Sequence, residues 1–288
     1  MTVNDGAQDG NNLTFEQREG FAPLPSQFAR GVLSDQLRSL LWAYLYPRLE
    51  RTTYGNLDSP WNGILREKHV HRDHLAVDEF DATAYVQIAK LKHLCFHGDC
   101  GEVLGFFDWL LTNFQRPPVR ANEIDKILTH CRSAYRVIDG MISFVGTDEE
   151  VETVKKAFSD LSSAGHNGAR SHLREASKHL TNGDWAASIR ESIHAVESVA
   201  VLIEPKATTL GDALKLIEKK KTIHPALKTG FQNIYGFTSD EKGIRHALLE
   251  KSASDVDEAD ALFMIGACAA FVSYLVAKAR AAALLPSA

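Results

Sequence analysis

The stretch ALFMIGACAAFVSYLVA, Ala261 to Ala277, holds no charged residue, and its reading decides the fold. A run of about 17 residues touches the lower edge of a membrane span. Gly266, Ser273, Tyr274 and five Ala dilute its hydrophobicity. Asp255, Asp257, Glu258 and Asp260 precede it, and Lys278 and Arg280 follow. An acidic start and a basic end suit the macrodipole of a helix in water. The run is therefore expected to be the buried closing helix of a bundle, over about 255–283, with no membrane partner.

The segments upstream are helical by pattern. Residues 169–181 place Leu173, Ala176 and Leu180 on one side. Asn182-Gly183 predicts a turn, and Asp184 caps a helix to about Glu204. That helix carries Trp185, Ile189, Ile193, Val196, Ala200 and Ile203 on its apolar face, and Pro205 stops it. A third helix covers Leu210–Lys221, with Leu210, Ala213, Leu214 and Ile217 inward. Pro225 starts a fourth, bearing Leu227, Phe231 and Ile234. A polar loop is expected over Gly236–Gly243, then the short segment Ile244–Glu250. Short connections between amphipathic helices imply an antiparallel bundle.

The first part of the chain is also mostly helical. Ser34-Asp35 can cap a helix with Leu37, Leu40, Leu41, Tyr44 and Leu45 at helical spacing. Thr53–Val77 shows no clean period and reads as loop with one short helix. Helices follow at about 80–97, 101–115 and 121–136, with Pro117-Pro118 separating the last two. The period then changes. Val137 to Val145 reads as a hairpin, with Asp139-Gly140 suited to a type I′ turn. Thr147 with Glu150 predicts a capping box opening a helix to about Ser162. The small, polar, Gly-containing stretch at 162–168 is the best boundary in the chain. The expected organisation is a disordered tail over 1–13, a helical domain with a short hairpin over 14–165, and a helical bundle over 166–288.

Composition narrows the function. The chain has 288 residues, 44% hydrophobic and 24% charged, which excludes wholesale disorder. A formal net charge of −5 argues against a constitutive DNA-coating protein. The charge is uneven: residues 1–165 hold 17 Lys and Arg against 23 Asp and Glu, and 166–288 hold 15 against 14. The second part is thus better suited to meet a polyanion. Cys95, Cys100, Cys131 and Cys268 are too few and scattered for a disulfide scaffold, and MTVNDGAQDGNN lacks the basic and apolar regions of a secretory signal. These features favour the cytoplasm.

No P-loop, dinucleotide-binding glycine motif, GxSxG elbow or HExxH is present. His69, His71, Asp73 and His74 hold metal-binding side chains, but in an irregular stretch. His93, Cys95, His97 and Cys100 do not follow a standard zinc spacing. Neither set is expected to bind metal, and no cofactor is expected. Two Arg/His pairs suit a nuclease that needs only a proton shuttle and a cation beside a phosphate. Arg190 and His194 are four apart on one helix, with Glu197 a turn further. On spacing alone this set reads foremost as an ion-paired bundle face. Arg245 and His246 follow the polar loop that contains Asp240. Adjacent residues on a helix point about 100° apart. A surface Arg beside a partly buried His is an equal reading of that pair.

The second part resembles a HEPN domain, an all-helical nucleotide-binding fold. The likeness lies in HLREASKHLTNGDWAASIRESIHAVESV (His172–Val199), IYGFTSDEKGIRHALLE (Ile234–Glu250) and DEADALFMIGACAAFVSYL (Asp257–Leu275). The first part is similar to the domain that precedes HEPN in AbiJ-type abortive-infection proteins of bacteria. There the cues are FEQREGFAPLPSQ (Phe15–Gln27), LSDQLRSLLWAYLY (Leu33–Tyr46) and AYRVIDGMISFVGTDEEVETVKKAF (Ala134–Phe158). The resemblance implies a phage-defence effector in the cytoplasm. It implies a candidate metal-independent endoribonuclease, with RNA as substrate and the site formed where two HEPN protomers pair. His246 would move the proton of a ribose 2′-OH and Arg245 would stabilise phosphorane charge. Arg190, His194, Glu197 and Asp240 would be supporting residues. In the family motif four to six residues separate the Arg from the His, whereas Arg245 and His246 are adjacent. Arg174 and His179 match that spacing on the first bundle helix, where the family does not place its site. The alternative is a catalytically degenerate HEPN module that binds RNA, a nucleotide or a protein partner. A third reading makes Arg245 and His246 a helix cap and a core contact.

Overall fold

Ser34 caps α1 (Asp35–Leu45): its Oγ accepts from the Leu37 N–H at 3.1 Å, and the helix buries Leu37, Leu41 and Leu45. The computed structural model describes residues 28–50, 52–206, 210–219, 223–240, 256–282 and 284–285, with Phe15, Glu19 and Phe21; side chains at 212, 213, 216, 217, 219 and 237–240 lie outside the description. The tail over 1–13 and the segment 244–250 fall outside the described residues. The chain is mostly helical, with one small two-stranded sheet.

In the stretch expected as loop with one short helix, α2 (Trp61–Glu67) continues as a π-helical turn over Lys68–Arg72. Then come α3 (Ala84–His97), α4 (Cys100–Thr112) and α5 (Ala121–His130). Arg38 on α1 donates to the Cys95 and Gly98 carbonyls at 3.0 and 2.8 Å, so its cation closes the C-terminal end of α3. Asp99 and Glu102 exchange the two bonds of a capping box ahead of α4. The predicted helix over 121–136 stops at His130. Arg132 takes φ 53°, a left-handed conformation that breaks the helix ahead of the buried residues Ser133, Ala134 and Tyr135. Glycine normally marks such a stop, and none stands here.

The hairpin follows as β1 (Tyr135–Ile138) and β2 (Met141–Phe144). Asp139 and Gly140 have φ 51° and 75°, the two positive values a type I′ turn requires. A lone two-stranded hairpin is marginal in water. Here both strands are buried, and helices satisfy amides that strand pairing leaves open. The Val137 N–H donates to Asp125 and the Ile142 N–H to Asp108, both at 2.7 Å, and the Phe144 N–H to Thr181 Oγ1 at 3.0 Å.

The chain divides into two compact units, 1–142 and 143–288. This seam lies earlier than the boundary near 165 that the sequence suggests. Gly165, at φ 72°, is a tight turn between two packed helices rather than a linker. The helix before it, α6 (Asp148–Ser163), opens on the expected Thr147–Glu150 capping box and buries Val151, Val154, Ala157, Phe158 and Leu161. It therefore belongs to the second unit.

That unit continues with α7 (Asn167–Asn182), α8 (Trp185–Ile203), α9 (Leu210–Lys219), α10 (Pro225–Asp240) and α11 (Glu258–Ala281). Left-handed Gly183 and the Asp184 cap, which accepts from the Ala187 N–H at 3.1 Å, fold α7 back on α8. Small residues hold that pair close: Ser188 Oγ donates across to the Ala176 carbonyl at 2.9 Å. Helix α10 runs through Gly236 to Asp240, where a loop is predicted. One glycine costs a helix about 1 kcal/mol, and packing on neighbouring elements outweighs this. Phe231 of α10 stacks on Phe271 of α11, and Tyr274 extends the cluster at 6.3 Å from Phe271.

Helix α11 contains the uncharged run. Asp257 and Asp260 cap it, and Lys278 and Arg280 occupy its last turn. It packs on α8, α6 and α7. Among the described residues it is the one helix long and apolar enough to cross a membrane, yet 56% of its apolar window is buried inside the protein. Leu275 and Phe263 report the two sides of this helix, at 0% and 61% exposure. Leu275→Ala is expected to destabilise the full chain by about 2–5 kcal/mol in urea unfolding. Phe263→Ala is expected to stay within about 0.5 kcal/mol. Similar small effects at both positions would remove α11 from the core.

Candidate functional site

Helix α8 is squeezed on most of its circumference. Ala187, Ser188, Ile189, Ser192, Ile193, Ala195, Val196, Val199 and Ala200 are all buried. Arg190, Glu191, His194 and Glu197 are half-buried and share one stripe, since steps of three and four residues return to the same side. The predicted supporting residues Arg190, His194 and Glu197 all belong to this stripe.

Glu191, which the sequence reading passes over, is the centre. Its Oε2 meets Nδ1 of His172, on α7, at 2.8 Å, and its Oε1 lies 3.6 Å from Nδ1 of His194. The two imidazoles meet edge to face with ring centroids 5.3 Å apart. Glu197 instead turns to α10 and accepts from the Tyr235 hydroxyl at 2.7 Å. Side-chain exposure is 18% at Glu191, against 40% at His172 and 35% at His194, so the carboxylate is the withdrawn member. Burial pushes the Glu191 carboxyl upward. The His172 hydrogen bond and the charges of His194, His172 and Arg190 outweigh it, leaving this group below its ordinary value of 4.5.

Two sequence signals pointed here. Glu191 and His194 form a Glu-x-x-His step, which puts both on one helix face. His172 and His194 stand equally far in sequence from Gly183. In an antiparallel helix pair, residues equidistant from the turn lie side by side.

The other histidine groups diverge. His69 is buried and its Nε2 meets the Ala76 carbonyl at 2.7 Å. Asp73 pairs with Lys68 at 2.7 Å, and His71 lies 3.4 Å from Glu67. Exposed His93 and His97 face each other with ring centroids 4.7 Å apart, while Cys95 is fully buried between them in sequence. Burial holds the Cys95 thiol up at about 11, unsuited to thiolate ligation without a metal to drive it. His179 lies 3.5 Å from Asp184 in the α7–α8 turn, so the Arg174–His179 spacing match has its His at a helix end. Arg245 and His246 lie outside the described residues. Asp240 is the last residue of α10, and its side chain is outside the description.

The Glu191 shift has a defined sign in stability. The unfolded chain takes up a proton at Glu191 before the folded chain does as pH falls. Stability from this group is therefore complete above about 4.5 and is lost as pH drops through the lower folded value. Urea unfolding across this acid range should show a shallower pH slope in Glu191→Gln than in the unsubstituted chain. Equal slopes would mean that the His172–Glu191 contact does not persist in solution. No protein-family model, curated protein or solved structure matches the chain.

Proposed function

We propose that the chain is a phage-defence effector of the HEPN class, cutting RNA without a metal at a cleft between two paired copies. The observation that carries this reading is the Arg245-His246 pair in IYGFTSDEKGIRHALLE, at the place where HEPN proteins keep their cation and proton shuttle. In this reading His246 takes the proton of a ribose 2′-OH as the oxygen attacks the adjacent phosphorus. The 5′ oxygen of the next nucleotide leaves and acquires a proton, which yields a cyclic phosphate and a free 5′-hydroxyl. Arg245 meets the negative charge that grows on the phosphate oxygens. No water and no metal enter the balance. The predominantly helical described part of the second unit and the near-neutral charge of residues 166–288 are compatible with this chemistry. The cytoplasm, where transcripts and phage RNA are found, is the compartment this role requires.

A second reading is favoured by one specific observation. Arg245 and His246 are adjacent, so on a helix they point about 100° apart, whereas four to six residues separate the Arg from the His in the family motif. A module of this kind would bind RNA, a nucleotide or a protein partner without cutting.

One experiment separates the two. The purified full chain is incubated with total RNA in EDTA, with and without extract from phage-infected cells. Cleavage with cyclic-phosphate ends, reduced about 10²–10⁴-fold in His246→Ala, is the expected result. Absence of cleavage of any tRNA, mRNA or rRNA under both conditions overturns the nuclease reading. RNA retention that survives Arg245→Ala and His246→Ala without cleavage would put the binding surface elsewhere on the module.

A further inference from the structure

We infer that His172, Glu191 and His194 form a binding site for one divalent transition-metal ion of the zinc class. The proposal needs neither Arg245, His246 nor a second copy of the chain, and it shares with the RNA reading only His194, one of that reading's supporting residues.

The donor set comes first. Two imidazoles and one carboxylate make a three-ligand set that zinc accepts while keeping a fourth position open. Imidazole also suits copper, nickel and iron, whereas calcium and magnesium prefer all-oxygen shells. Distances follow. One ligand atom from each residue can be chosen so that all three lie within 4.8 Å of one another. Bonds of about 2.0–2.2 Å in a tetrahedron put ligand atoms about 3.3 Å apart. Glu191 Oε2 reaches His172 Nδ1 at 2.8 Å and Oε1 lies 3.6 Å from His194 Nδ1, so through one oxygen or the other the carboxylate already stands near each imidazole on this scale. The 4.8 Å limit exceeds the tetrahedral spacing by about 1.5 Å at most, and side-chain rotation around the ion closes that difference. Among the described residues this is the only group of three His, Cys, Asp or Glu side chains that converges in this way.

The backbone under the site is fixed by other contacts. His172 sits on α7 and the Glu-x-x-His step on α8, and the Gly183 turn and the Ser188–Ala176 bond set the distance between the helices. A metal would therefore find its ligands on two rigid elements rather than on a loop. The site is half-buried. Its carboxylate is withdrawn, and its imidazoles are open enough for an ion to enter and for water to fill the fourth position. Arg190 is the opposing feature, because it places positive charge near Glu191. It is the smallest of the charge effects acting there, and a divalent ion bound directly by the carboxylate outweighs it by proximity.

The bland alternative is an ion-paired triad whose protons do what a metal would do, and the test must separate the two. The full chain, without a histidine tag and stripped by chelator, is titrated with Co²⁺ as a visible probe and then with Zn²⁺. The expected result is one equivalent per chain, with visible absorption bands of a four-coordinate nitrogen–oxygen shell that Zn²⁺ abolishes. Glu191→Gln and His194→Ala should each weaken Zn²⁺ binding at least tenfold with the far-UV spectrum unchanged, while His93→Ala on the exposed His93–His97 pair should not. Binding that survives Glu191→Gln and His194→Ala, or no stoichiometric binding at all, overturns the proposal. Should a variant fail to fold, imidazole NMR of the unsubstituted chain decides. Zn²⁺-induced shifts at His172 and His194 support the site, and shifts confined to other histidines overturn it.

Discussion

The second unit depends on the burial of one helix that cannot be left in water. Helix α11 carries no charge between Asp260 and Lys278, and α8, α6 and α7 close over it. Each Å² of apolar surface removed from water contributes about 25 cal/mol, so the burial of this helix stabilises the unit. The caps do the complementary work. Asp257 and Asp260 satisfy free N–H groups at one end, and Lys278 and Arg280 stand in the last turn at the carbonyl end, so the charges of the helix are confined to its two ends.

This burial dictates where chemistry can sit on α8. With α11 on one side and α7 on another, most of α8 must be apolar or small, and Ser188 and Ser192 spend their hydroxyls on backbone carbonyls. Charge survives only along the stripe of Arg190, Glu191, His194 and Glu197. Half-buried, those groups must find partners, because a withdrawn charge without one is costly. His172 reaches Glu191 from α7, and Tyr235 reaches Glu197 from α10. The candidate site is thus the polar remainder of a packing solution, and that packing holds its geometry in place.

The same rule governs the hairpin over Tyr135–Phe144. Eight buried strand residues cannot leave amide groups open, and Asp125 and Asp108 on α5 and α4 supply carboxylates to them. A sequence rule for strands sees alternation and turn residues, and it does not see which helix carboxylate will stand opposite a given N–H.

Most local structure was written in the sequence. Ser34, Thr147 with Glu150, Asp184 and Pro205 marked helix ends, and Asp139-Gly140 marked the turn, because caps and tight turns are bonds between residues a few positions apart. Placing Arg190, His194 and Glu197 on one face needed only the helical period. Tertiary structure decided the rest. It assigned α6 to the second unit, ended α5 at a left-handed Arg132, carried α10 past Gly236, and paired Glu191 with a histidine from another helix. Periodicity fixes which side chains share a face of a helix. Which face meets which is set by how two helices cross and how closely they pack, and that depends on every side chain in the contact at once.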